Sequence, residues 1–488
     1  MNYSPPAGQV STKPALDSLR FGRYTFPMQR LLTAFGALCV LALSVSGIVL
    51  LVRHQREIAA ERKFAAAGPA HLAREEAAAR REGIPLTAHE LQQPLPPASQ
   101  NAAPLYVKLT KLLHDKPLGL PKYAEGMDAF HSYTPAQITA VRQTLAARQD
   151  VMTLVHQAAD KPRCVFVRDW GMGPDLMFPE YPRIRQAARL IKTESYLLAR
   201  DGRYKEAVTD QVRGFRIAKH AASDSVLLSY LVGNASEAIT LTGMQSILAL
   251  AGPNADINQL VHQDTRLYFA PLPLRGPLAN EPAVMSIIFQ QLHEGQHQGV
   301  QWLDSSLENL TSGKSIDVDP QHLVKPVSSA EEKLVSDTID SQHANYLADM
   351  RRMVSALNAP AKERRTINAS LLDASAPSAA GGARTLSFIL LPDPQKLDED
   401  DMRLKARLVI TLSAAAILAQ KATTGAFPNA LPPGFVDPYT SQPLNYRRES
   451  MSGFVVYSVG PTGTFDGGKP GEKVPAQESV FRYPAVPK

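Results

Sequence analysis

Cysteine is nearly absent from this chain: two in 488 residues, Cys39 and Cys164. Cys39 sits inside an uncharged apolar run, so neither a disulfide framework nor a cluster of thiolate zinc ligands is available. Leu38 stands where a lipoprotein needs a small residue before its cysteine, which argues against lipid attachment. A dominant charge sign is also missing, since 52 basic residues oppose 46 acidic ones for a net +6. With no compact basic patch interleaved with aromatics, nucleic acid is not an expected partner. No glycine-rich phosphate loop follows a strand, and GPTGTFDGG at 460–468 lacks the lysine that phosphate binding requires. The G-x-S-x-G elbow of serine hydrolases is absent too.

What the chain does have is one long hydrophobic run. Residues 31–52, LLTAFGALCVLALSVSGIVLLV, carry no charge and are bounded by Arg30 and Arg53. At about 1.5 Å per residue the run spans roughly 33 Å, enough for a transmembrane helix and longer than a signal-peptide core. Lys13, Arg20, Arg23 and Arg30 before it are matched by Arg53, Arg56, Arg62 and Lys63 after it. Local charge therefore does not set the orientation. A short first segment with no second span is the form of a signal anchor, so we expect a single-pass protein of the bacterial inner membrane. Its N-terminus would be cytoplasmic and its bulk periplasmic.

The rest divides by composition. Residues 1–27 read as a flexible cytoplasmic tail and 28–53 as the anchor. The stretch 54–101 is expected to be an exposed Ala/Glu/Arg stalk helix, broken near Gly68 and Pro69 and ended by the proline cluster at 92–100. Residues 102–372 form a helical domain. Its clearest part is Arg183–Ala221, where Ala187, Leu190, Ile191, Glu194, Leu197 and Leu198 make a stripe at helical spacing. Gly202 then turns the chain, and Ala207, Val208, Val212, Phe215 and Ile217 resume the stripe. This resembles one tetratricopeptide-like hairpin, with no second copy at a fixed period. Another helix is expected over 225–252, a proline-rich loop over 271–282, and helices over 283–311 and 328–358. Residues 373–395 read as a linker. From 396 an amphipathic helix with Lys421 near its end gives way to short strands in PLNYRR and GFVVYSVG. The fold class is α+β, mainly α, with a small C-terminal antiparallel sheet.

The stretches TGAFPNAL, DPYTSQPLNYRR and GFVVYSVGPTGTFDGG resemble the end of the major pseudopilins of type II secretion. The tail also resembles that of uncharacterised, membrane-anchored bacterial proteins with a helical middle. The first resemblance implies a long helix packed on a small sheet, and calcium held by acidic and carbonyl oxygens. Here Thr462 and Phe465 stand where acidic residues are common in such tails, leaving Asp466, so a structural turn is expected rather than calcium. The pseudopilin processing site is missing from FGRYTFPMQRLLTAFG.

One motif carries chemistry. In QQLHEGQHQGV, His293 and His297 lie one helical turn apart, and Glu294 between them is placed to activate a metal-bound water, as in zinc peptidases. Set against Met285, Phe289, Leu292, Val300 and Leu303, the two histidines fall on the border of an apolar stripe. Val300 and Leu303 occupy the places of a metzincin's glycine and third histidine, and Asp317 lies near the gluzincin distance. The expectation is a solvated helix border on a non-enzymatic scaffold or binding protein with a protein partner and no cofactor. The alternative is a membrane-anchored zinc metallopeptidase using His293, His297 and Glu294.

Overall fold

The computed structural model describes residues 55, 59–60, 62–268, 271–294, 329–375, 390–469 and 479–484. The apolar run at 31–52, the N-terminal tail, His297 and most of the 373–395 linker lie outside the described residues. Among the described residues no helix is long and apolar enough to cross a membrane. From Arg62 onward they belong to one unit, mainly helical, with a three-stranded antiparallel sheet at the C-terminal end.

Helix α1 (62–81) is built from strong helix formers, as its composition dictates. It is neither broken at Gly68–Pro69 nor an exposed stalk. The helix runs through both residues and lies on α10 (Ser329–Ala356). Gly68 permits the approach, because a Cβ there would fall 2.8 Å from Ser341 Oγ and 2.9 Å from Asp340 Cβ. Ser341 donates to the Phe64 carbonyl, while Arg351 of α10 donates to Glu75 Oε2 at 2.6 Å and pairs with Glu82. Ala79, Ile84 and Leu86 then join a core with Tyr346, Met350 and Leu371. Beyond the helix, the prolines at 92–100 do not open a gap. Leu91 packs with Trp170, Gln93 donates to the Ser223 carbonyl at 2.6 Å, and Asn101 exchanges two hydrogen bonds with Val165 at 3.0 and 2.9 Å.

Helices α2 (Ala103–Asp115), α3 (Pro135–Ala147) and α4 (Gln149–Ala159) pack beside the expected hairpin, α5 (Tyr181–Arg200) and α6 (Tyr204–Ala221). Gly202 turns the hairpin with φ 75°, a conformation that costs a residue with a Cβ. Ala187, Leu190, Ile191 and Leu197 are buried as the stripe requires, whereas Glu194 is half-buried. Helix α7 (Leu227–Ala251) is buried on most of its surface, against α5, α6 and later elements. It is followed by α8 (Ala255–Tyr268) and α9 (Arg275–His293).

The proline-rich stretch expected as a loop is mostly helix: α9 already begins at Arg275. Pro277 falls in the first turn, where its missing N–H leaves no bond unmade. Pro282 lies inside the helix and forfeits one backbone bond. Its neighbours compensate by fixing the start of α7. Asn280 Nδ2 donates to the Ser225 carbonyl at 2.7 Å, and Glu281 Oε1 accepts from the Leu227 N–H at 2.6 Å. The turn they hold contains Ser225 at φ 55°.

Helix α11 (Ala361–Ser375) precedes α12 (Pro394–Thr424), which starts two residues before the expected position. Asp393 caps α12 by accepting from Gln395 and Lys396 N–H groups at 2.9 and 3.0 Å, and Gly425 at φ 76° closes its other end. Rather than standing apart with the sheet as a separate domain, α12 packs along α7 and α8. Strands β1 (Asn445–Arg448), β2 (Phe454–Tyr457) and β3 (Val480–Tyr483) pair in that order, with Tyr446 opposite Val456 and Val456 opposite Phe481. Phe454, Val456 and Phe481 face the same core as Leu408, Ala415 and Leu418 of α12. Buried Asp437 ties the preceding loop to the sheet, accepting from Tyr439 N–H, Val459 N–H and Ser458 Oγ at 2.9, 3.0 and 3.0 Å. Asp466 closes a turn by accepting from Gly468 N–H at 2.9 Å.

Candidate functional site

His293 is the last residue of α9, and Glu294 caps it. His293 Nε2 lies 3.0 Å from Asp340 Oδ1, on α10, while Asp317 lies outside the described residues. Glu294 Oε1 accepts from Gln290 Nε2 at 2.9 Å, along its own helix. One turn from Asp340, His343 stacks on Phe289 with ring centroids 4.0 Å apart. Burial, and secondarily the charge of His293, hold His343 down at about 4, so it is neutral at physiological pH. The structure thus joins His293 to an aspartate and a neutral histidine that no local spacing could reveal, because both lie some fifty residues away. Met285, Phe289 and Leu292 pack inward as the stripe predicts.

A second group brings ligand-type atoms together on the hairpin. His156 of α4, Glu194 of α5 and Asp210 of α6 place theirs within 4.8 Å of one another. His156 Nε2 is 2.6 Å from Glu194 Oε2, and that hydrogen bond raises its pKa. Burial, reinforced by the Glu194 charge, pushes Asp210 up to about 6. Arg213 Nη1 holds Asp210 at 2.9 Å while its Nε holds Asp160 at the same distance. Any cation entering here competes with a guanidinium already in place. Glu194 was legible only as an odd member of an apolar stripe.

The connection between α4 and α5, residues 160–180, is the most distinctive surface. Its underside is anchored by Arg168, 8% exposed, which donates to Asp224 Oδ2 at 3.0 Å and to Glu180 Oε2 at 3.1 Å. The guanidinium also lies 4.3 Å from the Phe166 ring centre and 4.8 Å from that of Phe178, within cation–π range. Tyr181 donates to the same Asp224 oxygen at 2.7 Å, and Trp170 packs with Val226 and Ala283. From this mount Val167, Met172 and Met177 project outward, 77%, 46% and 76% exposed. Cys164, at the root of the loop, is free and buried, and burial pushes its thiol up, away from the reactive thiolate.

Helices α7 and α12 are bolted together by polar contacts. Tyr230 donates to Asp401 Oδ1 at 3.0 Å and Gln245 donates to Thr411 Oγ1 at 3.0 Å, while Lys405 Nζ, on α12 itself, reaches Asp401 Oδ2 at 2.6 Å. Nearby, burial pushes Glu237 up to about 7. Beside these contacts a cavity of about 170 Å³ opens between Asn234 and Ala235 of α7 and Arg403 and Arg407 of α12. No protein-family model, no curated protein and no solved structure matches the chain, so what can be said of its role rests on these four places.

Proposed function

We propose that this chain is a single-pass, non-enzymatic binding or scaffold component of a bacterial envelope assembly, docking a protein partner through loop 160–180. In this reading residues 31–52 anchor it, the N-terminus is cytoplasmic and the bulk periplasmic. The observation that carries the proposal is the pairing of exposed apolar side chains with a rigid mount. Val167 and Met177 are more than three-quarters exposed, while Arg168 beside them is fixed by two carboxylates and two aromatic rings. A pre-ordered apolar surface loses little conformational entropy on binding, and methionine adapts its shape to a partner. The tetratricopeptide-like hairpin α5–α6 and the pseudopilin-like tail support an assembly role.

A photo-crosslinking residue at Met177, in cells, is expected to give a discrete protein adduct that Val167→Asp abolishes. The same probe at exposed Glu363 of α11 should give none. Equal labelling from both positions, or an adduct indifferent to Val167→Asp, would overturn the docking reading. The rival, a zinc hydrolase using His293, His297 and Glu294, is tested on the full chain by metal analysis after zinc reconstitution. Stoichiometric zinc that disappears in His293→Ala would overturn the non-enzymatic reading.

A further inference from the structure

Helices α4, α5 and α6 converge on His156, Glu194 and Asp210, whose ligand-type atoms all lie within 4.8 Å of one another. An ion placed between them therefore need sit no more than about 2.8 Å from any of the three, against roughly 2.0–2.2 Å for zinc bonds to imidazole and carboxylate. Side-chain shifts of less than about 1 Å close that difference. His156 Nε2 and Glu194 Oε2, now 2.6 Å apart, must also open toward the roughly 3.3 Å that separates neighbouring ligands around a tetrahedral zinc. Both side chains have room for this, being 26% and 28% exposed, whereas Asp210 at 6% forms a fixed floor. The partial exposure of the first two also gives an ion and its water a way in.

The charges favour a cation. Arg213 pairs with Asp210 but shares its guanidinium with Asp160, and Arg216 lies 3.7 Å from that same Asp160. Three carboxylates, with Glu194 the third, thus face two guanidinium groups, and with a neutral imidazole the set is one positive charge short. Arg213 Nη1 donates to Asp210 Oδ1 at 2.9 Å, which leaves Oδ2 for a metal while the guanidinium steadies the carboxylate, as hydrogen-bonded ligands of metal sites are held. Its charge weakens the attraction for an ion, and its bonds to Asp160 at 2.9 and 3.3 Å draw it outward. One imidazole and two carboxylates offer too few oxygens for calcium, which takes about 6 to 8, but suit zinc with water in the fourth position.

We propose that His156, Glu194 and Asp210 bind a divalent transition-metal ion of the zinc type, with water completing its coordination, and that the ion clamps α4 to the α5–α6 hairpin. The ligands come from three helices held at fixed spacing by the surrounding core, so little ordering is left to the ion. The site shares no residue with the His293 motif and does not depend on the docking proposal.

Zinc titration of the untagged full-length chain in detergent, read by calorimetry and metal analysis, tests this. It is done in a His293→Ala background, so that zinc at that motif is not counted. The expected result is one zinc per chain, with no saturable heat from magnesium or calcium at the same concentrations. His156→Gln and Glu194→Gln should each weaken zinc binding at least about tenfold. Saturating zinc should raise the melting temperature of the background chain and leave that of Glu194→Gln unchanged. Glu194→Gln keeps the size of a half-buried side chain and a hydrogen bond to His156, so it keeps the test decisive if His156→Gln does not fold. Absence of a saturable zinc site, affinity unchanged in Glu194→Gln, or equal binding of magnesium would each overturn the proposal.

Discussion

Glu281 offers a quantitative test of how α9 holds α7. Its side chain is 7% exposed, and burial pushes its pKa from the ordinary 4.5 up to about 7. Its Oε1 accepts from the Leu227 N–H at 2.6 Å, satisfying one of the orphan donors at the start of α7. A raised carboxyl pKa means that the folded state holds the proton over a range where the unfolded chain has released it. The stability associated with the neutral form is complete below about pH 4.5 and is lost as pH rises through about 7. A shift of this size corresponds to about 3 kcal/mol between the two limits. Glu281→Gln keeps the accepting oxygen and removes the charge. It should therefore be more stable than the parent at pH 8 by about 1–3 kcal/mol, be near neutral at pH 5, and flatten the pH dependence between them. Glu281→Leu removes the acceptor and should cost about 1–2 kcal/mol even at pH 5. Thermal unfolding of the detergent-solubilised chain at both pH values checks this, at roughly 1 °C per kcal/mol. A Gln variant that is destabilised at pH 8, or that keeps the parent's full pH slope, would refute the reasoning.

Two further substitutions probe the supports of the fold. Arg168→Met leaves Asp224 and Glu180 buried without their cation and should cost about 3–5 kcal/mol, read as a lowered melting temperature together with faster proteolysis within 160–180. Gly68→Leu places its Cβ against Ser341 and Asp340 and should cost about 1–3 kcal/mol, with proteolysis of the 62–101 stretch increasing before the rest of the body is cut. If either variant melted and digested like the parent, the contact it removes would not be supporting its segment.

Local chemistry made part of this structure readable. The α5–α6 turn announced itself through Gly202, and β1 and β2 through short apolar runs between turn residues. The buried face of α9 followed from Met285, Phe289 and Leu292. The errors share one cause, in that a residue's local preference says nothing about its distant neighbour. Gly68–Pro69 suggests a break until the Ser341 face of α10 is placed beside it. Prolines 277 and 282 suggest a loop until one is seen in a first helical turn and the other above the start of α7. Strand β3 is four residues long and exists through its pairing with β2. The candidate sites were less legible still. His156 and Asp210 look like solvated polar residues on amphipathic helices, and Asp340 like one acid among many. Each acquires meaning from an element about 40 to 55 positions away.

The last strand also bears on how the chain reaches this state. Phe481 fills the core shared by α7, α8 and α12, and Tyr483 comes so close to the end of α7 that a Cβ on Gly252 would lie 2.6 Å from its hydroxyl oxygen. At about 5–20 residues per second, the stretch between Gly252 and Tyr483 takes roughly 10–50 s to synthesise. Throughout that interval α7 exists without the strand that covers its end, and until Pro394–Thr424 is made its α12 face is open as well. The nascent chain therefore carries an unfinished apolar surface that a chaperone would be well placed to shield.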